Sequence, residues 1–323
     1  MLARLFPDRF VPILLATIVA ASLVPVSGAA AGIAQHIATA AIVLLFFLNG
    51  VRLPRQEVVA ALRNLRLIGA ALAFCYVAMP AIGWLLYRAA EPLVPHLIAL
   101  GFLYCGILPS TVQSATGATG MAKCDVAASV VLAALLNLVG VLLSPLLFAA
   151  LDGRAALINS DAELRIILIL LLPFMLGQVA QRWLRAAVTA RPGLVRTLDR
   201  SVIAIAVYVA FSGAVVGGLW DRLHAADLAV VGSGIALFLL AGYGGAWALG
   251  GAAGLALPQR VSLMFAGAQK SIAVGAPLAA MLFPPATAGM VLVVILGYHM
   301  AQLMVAAWIA PLMAARVDAA AAS

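Results

Sequence analysis

Charge is scarce in this chain of 323 residues. Only 9% of the residues are charged, whereas 66% are hydrophobic and the mean hydropathy is +1.16. A soluble globular domain has about 25% charged residues, so this composition excludes the ordinary soluble classes. The three cysteines, Cys75, Cys105 and Cys124, show no paired spacing, which gives no support for a disulfide framework or a metal cluster. The alternation of polar and apolar residues that a membrane β-barrel needs is also missing.

The chain instead contains a series of long apolar segments. A helix that spans a bilayer needs about 20 predominantly apolar residues, and ten segments approach or exceed this length. We therefore predict an all-α polytopic membrane protein with ten transmembrane helices. The predicted spans cover about 10–26, 31–51, 67–87, 93–122, 126–150, 164–179, 201–220, 228–256, 261–283 and 287–313.

The first segment has two interpretations. Its basic start, apolar stretch and following small residues (1–31) are also typical of a secretory signal. The count favours a retained span, because ten spans divide into two sets of five.

The basic residues predict the topology. With a cytoplasmic N-terminus, 14 Arg and Lys residues fall on the inner side, 4 fall on the outer side, and Lys270 lies within a span. This bias follows the positive-inside rule, so both termini are predicted to be cytoplasmic and the protein to lie in the inner membrane. The net charge of +8 then requires no nucleic-acid partner. The basic connectors 52–66 and 181–200 are predicted to form short amphipathic helices on the membrane surface.

Two of the spans are interrupted. The fourth contains LPSTVQS (Leu108–Ser114), where Pro109 removes a backbone donor, and the ninth contains GAQKS (Gly267–Ser271). The two positions differ by an odd number of spans, so the second half has the reverse orientation. Broken helices at matching positions are typical of inverted-repeat transporters, in which they meet near the midplane. We predict inverted five-helix repeats at about 10–150 and 164–313, forming a single transmembrane domain over 1–323.

Lys270 lies in the middle of the ninth span, where a lysine costs about 2.5–3.5 kcal/mol on the insertion scale. Three roles are open. Its ammonium contacts an anionic substrate, supplies fixed positive charge where a relative binds a metal cation, or is a structural group bonded to carbonyls of the opposite break. If the two breaks meet, Lys270 is expected to face the polar residues of the fourth span.

The predicted site consists of polar side chains at and beside the two breaks. Half-helices offer N-terminal ends to an anion and C-terminal ends to a cation. Asn137 either lines the site or bonds a neighbouring helix, and His299 is either a proton carrier or a packing residue. The predicted substrate- and ion-binding residues are Ser110, Thr111, Gln113, Ser114, Ser129, Asn137, Gln269, Lys270, Ser271 and His299.

The stretch LPSTVQSATGATGMAKCDVAASVVLAALLNLVGVLLSPLL (Leu108–Leu147), followed by FAGAQKSIAVGAPLAAMLF (Phe265–Phe283), resembles the bile acid:sodium symporter superfamily (solute-carrier family 10) and its bacterial SBF-like subfamily. The resemblance covers essentially the whole chain in span count and break positions. It implies a core domain of spans three to five and eight to ten, a panel domain of spans one, two, six and seven, and alternating access between them.

The sodium ligands of that family are only partly kept. A ninth-span glutamate that bridges two sodium ions in the bile-acid symporters corresponds to Phe265, and two further ligands correspond to Cys75 and Ala133. The resemblance leaves Ser129 and Gln269 as residual metal ligands for sodium. Hard cations prefer several oxygen ligands. We hypothesise that Lys270 replaces one cation electrostatically, which leaves one weak sodium site or none.

We predict a secondary active transporter that carries an organic anion, such as a bile-acid-like compound, another carboxylate or a sulfate, by cation-coupled symport. Its predicted partners are this anion and the lipid bilayer; no cofactor is predicted apart from sodium as a coupling ion, with a proton as the alternative. Two other classes stay open. One is a non-transporting regulator or receptor on the same fold. The other is an intramembrane serine hydrolase, suggested by VGSG (Val231–Gly234) with His299, although no oxyanion donors are identifiable.

Overall fold

The computed structural model describes residues 10–52, 64–151 and 160–321 and is helical through nearly all of them. A short helix, Leu219–Arg222, accompanies twelve longer ones that we label α1 to α12. In chain order these are α1 (Phe10–Leu23), α2 (Gly28–Arg52), α3 (Leu65–Ala90), α4 (His96–Ile107), α5 (Val112–Met121), α6 (Val126–Leu151), α7 (Ser160–Thr189), α8 (Pro192–Val216), α9 (Ala225–Ala252), α10 (Leu257–Ala268), α11 (Ile272–Leu282) and α12 (Pro285–Ala321).

Six of these helices are long and apolar enough to cross a bilayer, judged by length and composition: α2, α3, α6, α8, α9 and α12. Helices α1, α4 and α11 are apolar but shorter. The protein is therefore an all-α membrane protein with several spans. The predicted fourth and ninth spans are each divided into two helices, α4 with α5 and α10 with α11. The full arrangement of ten spans as an inverted repeat stays a prediction.

The helices pack in two groups that α8 joins. Helix α2 packs along α7 and α8, and α1 packs on α8. In the other group α3 packs on α4, α9 on α10, and α12 on α4 and α11. Helix α8 also contacts α11 and α12. The contact between α3 and α4 is close at Gly106, where an added Cβ would lie 2.8 Å from the Met79 carbonyl oxygen.

Helix α3 contains a π-helical turn at Phe74–Ala78. A π-turn accommodates one extra residue and often occurs at functional sites. The turn includes the fully buried Cys75, whose Sγ donates to the Leu108 carbonyl oxygen at 3.8 Å. Helix α3 is thereby anchored against the first interruption.

The predicted surface helix at 181–200 was wrong. This basic segment is the end of α7 and the start of α8, which Pro192 begins at a position where proline is well tolerated. Most of the other basic connector, 52–66, lies outside the described residues, as do Arg4, Arg9 and Arg154 of the predicted topology.

The predicted first span forms α1, and the Tyr208 hydroxyl donates to the Val24 carbonyl just after it at 2.7 Å.

Candidate functional site

The interruptions of the fourth and ninth predicted spans lie side by side, and we call residues 108–111 and 269–271 the crossing. Ser110 pairs with Lys270 in an antiparallel bridge, and the Ser271 N–H donates to the Pro109 carbonyl oxygen at 3.0 Å. Each break thus satisfies backbone groups that the other break frees. This mutual satisfaction is what non-helical backbone inside a membrane requires.

Lys270 is completely buried within the crossing. Its Nζ donates to the carbonyl oxygens of Leu108 at 2.8 Å and Gly106 at 3.0 Å, and it lies 3.6 Å from Cys75 Sγ. These carbonyls form the C-terminal end of α4, which carries the negative end of the helix dipole. The ammonium therefore occupies a position where a helix end attracts a cation. Its partners are carbonyls of the opposite break, which are the contacts expected if Lys270 has a structural role.

Helix α12 fixes the backbone of the crossing through residues that sequence reasoning missed. Gln302 accepts from the Lys270 N–H at 2.7 Å and donates to the Lys270 carbonyl at 3.0 Å. Its amide nitrogen also lies 2.8 Å from His299 Nδ1. The Tyr298 hydroxyl donates to the Ala268 carbonyl at 2.6 Å. The signal available in the sequence was the amide side chain of Gln302, about one turn after His299 in an apolar segment.

Helix α6 holds the first break from the other side. Asn137 Nδ2 donates to the carbonyl oxygens of Ser110 and Ala133, each at 2.7 Å. The Ser144 hydroxyl donates to the Ile107 carbonyl at 2.7 Å. Asn137 thus hydrogen-bonds a neighbouring segment, which was one of its two predicted roles.

Both half-helices that follow the breaks have a hydroxyl N-cap. Thr111 Oγ1 accepts from the Ser114 N–H at 3.3 Å and lies 2.5 Å from Ser114 Oγ. Ser271 Oγ accepts from the Val274 N–H at 3.3 Å. The first N–H groups of a helix have no intrahelical partner, and together with the dipole they make its N-terminus attractive to anions. The crossing therefore presents two such ends, those of α5 and α11.

A cavity of about 390 Å³ adjoins these two helix ends, and we call it the central cavity. The first turns of α5 and α11 form part of its wall, with apolar residues of α6 beside them. It brings together six residues of the predicted site: Thr111, Gln113, Ser114, Asn137, Ser271 and His299.

The other four predicted residues, Ser110, Ser129, Gln269 and Lys270, are buried and lie outside the lining of the central cavity. Ser129 Oγ accepts from Thr119 Oγ1 at 3.2 Å. Within the described part of the chain, the Ser110 hydroxyl and the Gln269 amide have no hydrogen-bond partner of good geometry, although Gln269 lies beside the Tyr243 hydroxyl.

A cluster of charged side chains from α2 and α8 lines another part of the central cavity: Arg52, Arg196, Asp199 and Arg200. Arg52 donates from both terminal nitrogens to Asp199, at 2.7 and 3.0 Å. The Arg200 guanidinium lies 5.5 Å from the centre of the Phe10 ring. The signal in the sequence was the helical spacing of Arg196, Asp199 and Arg200. The segment that contains them, 181–200, was instead predicted to lie on the membrane surface.

Comparison with known proteins identifies the family. The model of the SBF-like CPA transporter family matches residues 8–315. The chain belongs to this family. It is 36% identical over 324 residues to the uncharacterized protein PA2026 of Pseudomonas aeruginosa, covering 99% of this chain and 97% of that protein. It is 34% identical over 313 residues to YfeH of Escherichia coli, which carries the name of a symporter, covering 94% and 92%.

A vertebrate relative agrees with this placement. The chain is 23% identical over 281 residues to sodium/bile acid cotransporter 7 of Danio rerio, covering 84% of this chain and 82% of that protein. The predicted SBF-like membership is therefore confirmed. The protein is a multi-pass membrane transporter for a small molecule, and its relatives point away from the serine hydrolase alternative.

Proposed function

We propose that this SBF-like protein is a secondary active transporter that moves an organic anion across the inner membrane by alternating access. One observation carries the proposal: the central cavity combines two helix N-termini with a lining of three arginines and one aspartate. Helix N-termini and arginine both favour anionic groups. These groups favour the binding of an anion in the cavity.

The transport cycle follows from the proposed ten-span inverted repeat. Helices α1, α2 and α7, together with α8, which joins the two packing groups, correspond to the panel domain, and the remaining helices correspond to the core domain. The central cavity has walls from both groups, which supports substrate binding between them. With both termini cytoplasmic, the arginine-lined part of the central cavity lies toward the cytoplasm.

Lys270 acts in this proposal as a tethered cation, not as a direct ligand of the substrate. Its ammonium already engages the α4 carbonyls, 2.8 and 3.0 Å away, where a free cation would otherwise bind. The fixed charge keeps the crossing electropositive and strengthens anion binding at the neighbouring helix ends. Sodium coupling is then weak or absent, with Ser129 and Gln269 as its residual ligands and a proton as the alternative driving ion.

Uptake into proteoliposomes tests the proposal. The purified full-length protein is reconstituted, and radiolabelled carboxylates and sulfates, including a bile acid, are supplied with a sodium gradient, a proton gradient or neither. We expect saturable uptake of at least one anion that exceeds protein-free liposomes and is reduced in Lys270→Ala. Saturable binding of anions without any uptake would instead indicate a receptor on this fold. An unchanged affinity for the anion and an unchanged sodium dependence in Lys270→Ala would contradict the proposed role of Lys270 as a tethered cation.

A further inference from the structure

Gln302 of α12 connects the crossing to His299 through an amide whose orientation is fixed. Its Oε1 accepts from the Lys270 N–H at 2.7 Å, and its Nε2 donates to the Lys270 carbonyl at 3.0 Å. A flipped amide would place donor against donor and acceptor against acceptor, because the backbone N–H only donates and the carbonyl only accepts. The amide nitrogen is therefore the atom that lies 2.8 Å from His299 Nδ1.

This geometry fixes the protonation state of the imidazole. Gln302 Nε2 is only a donor, so His299 Nδ1 accepts from it and has no proton, and the proton of the neutral ring is on Nε2. The tautomer follows from the Nδ1 contact alone, whatever group Nε2 contacts. A second proton adds at Nδ1, where it faces the amide N–H. Protonation of His299 thus forces Gln302 to move, which disturbs its two bonds to the Lys270 backbone.

His299 also lines the central cavity, with 7% of its surface exposed. The cavity wall includes the N-termini of α5 and α11, whose positive dipole ends disfavour an added positive charge nearby. A bound anion offsets this effect and favours the imidazolium. An anion in the cavity and a proton on His299 therefore stabilise each other, and the effect is reciprocal by linkage.

Other titratable groups surround His299 on the helices that pack against α12. Helices α5 and α11 have no titratable side chain. The charged groups that α2 and α8 contribute to the cavity lining are Arg52, Asp199, Arg196 and Arg200. The buried titratable groups on the other sides are Tyr104 and Cys105 of α4, Tyr243 of α9 and Lys270 of the crossing. Among the side-chain types of the lining, only histidine exchanges a proton between about pH 5 and pH 8 at its unperturbed pKa.

We propose that a proton accompanies the transported anion and that Nδ1 of His299 binds it. Gln302 is the positioning residue, because its amide holds Nδ1 unprotonated in the empty cavity. Loading with the anion and the proton releases Gln302 from the Lys270 backbone and frees the crossing to rearrange. This inference rests on the proposed anion transport and specifies its driving ion.

Nitrogen-15 NMR of the imidazole-labelled full-length protein in detergent tests the tautomer without any ligand. The chain has four histidines, and the signal that disappears in His299→Gln belongs to His299. At about pH 8, above the ordinary pKa of histidine, we expect Nδ1 to be unprotonated and Nε2 to be protonated. A proton on Nδ1 at this pH overturns the inference.

Proteoliposome uptake at different exterior pH tests the coupling. The interior is held at about pH 8, the exterior is varied between about pH 6 and pH 8, and the probes are the radiolabelled carboxylates and sulfates, which stay ionised in this range. We expect an acidic exterior to raise saturable uptake of at least one anion about fivefold or more over equal pH. His299→Gln loses this increase. Gln302→Leu keeps it but moves its midpoint to higher pH, because Nδ1 no longer faces a donor.

His36→Gln is the matched control, since His36 lies on α2 outside the cavity lining, and it keeps the increase of the wild type. Saturable uptake that does not respond to the proton gradient overturns the inference and leaves anion transport standing. A response that persists in His299→Gln also overturns it. If the wild type takes up none of the anions at any pH, both proposals are wrong.

Discussion

Lys270 Nζ lies 2.8 Å from the carbonyl oxygen of Leu108 and so joins the two broken helices by a charge-assisted hydrogen bond. The same two segments also share a backbone bond between Ser271 N–H and Pro109 C=O at 3.0 Å. A break in either helix therefore depends on the other break for its polar partners. This mutual dependence explains why a lysine and a proline are tolerated deep in an otherwise apolar sequence.

Removing the ammonium destabilises the crossing. In Lys270→Met the carbonyls of Leu108 and Gly106 lose a buried donor, and we expect a loss of about 1–3 kcal/mol in the free energy of unfolding. The measurement is thermal unfolding of the purified protein in detergent. Lys123→Met is the control, because Lys123 pairs with Asp318 on the surface, with both side chains more than half exposed, and such pairs contribute about 0–1 kcal/mol. Equal effects of the two substitutions would contradict this account.

A smaller side chain at residue 270 makes the carbonyl end of α4 available to a free cation. In Lys270→Ala we expect sodium or methylammonium to raise the melting temperature more than in the wild type, because these ions replace the missing ammonium near Gly106 and Leu108. Choline chloride at equal concentration controls for ionic strength. If the variant and the wild type respond identically to all three salts, the amine does not occupy a cation-binding position.

The backbone of residue 270 depends on Gln302. The Gln302→Leu substitution keeps the side-chain size but leaves the N–H and C=O of Lys270 without their partners at 2.7 and 3.0 Å. We expect a loss of about 1–3 kcal/mol for the buried unsatisfied groups, measured by thermal unfolding. Gln35→Leu is the control, because Gln35 is only partly buried and donates one long bond of 3.5 Å to Ala280. A similar loss of unfolding free energy in both variants would contradict this role for Gln302.

The helix breaks were predictable because their causes are local. Pro109 and the polar run beginning at Gln269 act on their own backbone, and the structure interrupts the helices at these residues. The partners of Lys270 were harder to foresee, since every residue has a carbonyl group and sequence does not show which ones converge. The structure supplies Gly106 and Leu108 as those partners.

The arginines of α8 that line the central cavity illustrate a different limit of prediction from sequence. The positive-inside rule places a charge on one side of a membrane, but it does not separate a lipid-facing arginine from one that lines a cavity. Arg196 and Arg200 were therefore grouped with the surface connector, although their helical spacing was visible. Only the packing of α8 between the two helix groups decides which way that face points.

Close packing of α3 and α4 gives a structural prediction. An alanine Cβ at Gly106 would lie 2.8 Å from the Met79 carbonyl oxygen, whereas one at Gly117 in α5 meets no atom within 4 Å. We expect Gly106→Ala to lower the free energy of unfolding by about 1–3 kcal/mol through overpacking. Gly117→Ala raises it by up to about 1 kcal/mol, because alanine favours the helix. Thermal unfolding of the pair gives opposite shifts, and shifts of the same sign would contradict the close contact.

The hydroxyl caps of α5 and α11 connect helix stability to anion binding. Thr111→Ala removes the acceptor of the Ser114 N–H, and Ser271→Ala removes that of the Val274 N–H. Each loss costs about 1 kcal/mol of helix stability and loosens the N-terminal turn that is proposed to hold the anion. We expect both variants to bind the transported anion about threefold to tenfold more weakly, while Thr111→Ser keeps the wild-type affinity because it retains the hydroxyl.

Thr287→Ala is the matched control, since this exposed hydroxyl near the start of α12 donates to Pro284 and lies outside the cavity lining. Titration of the anion identified by uptake, followed by intrinsic fluorescence, measures these affinities. A uniform affinity across the four variants would show that the anion binds away from the two helix ends.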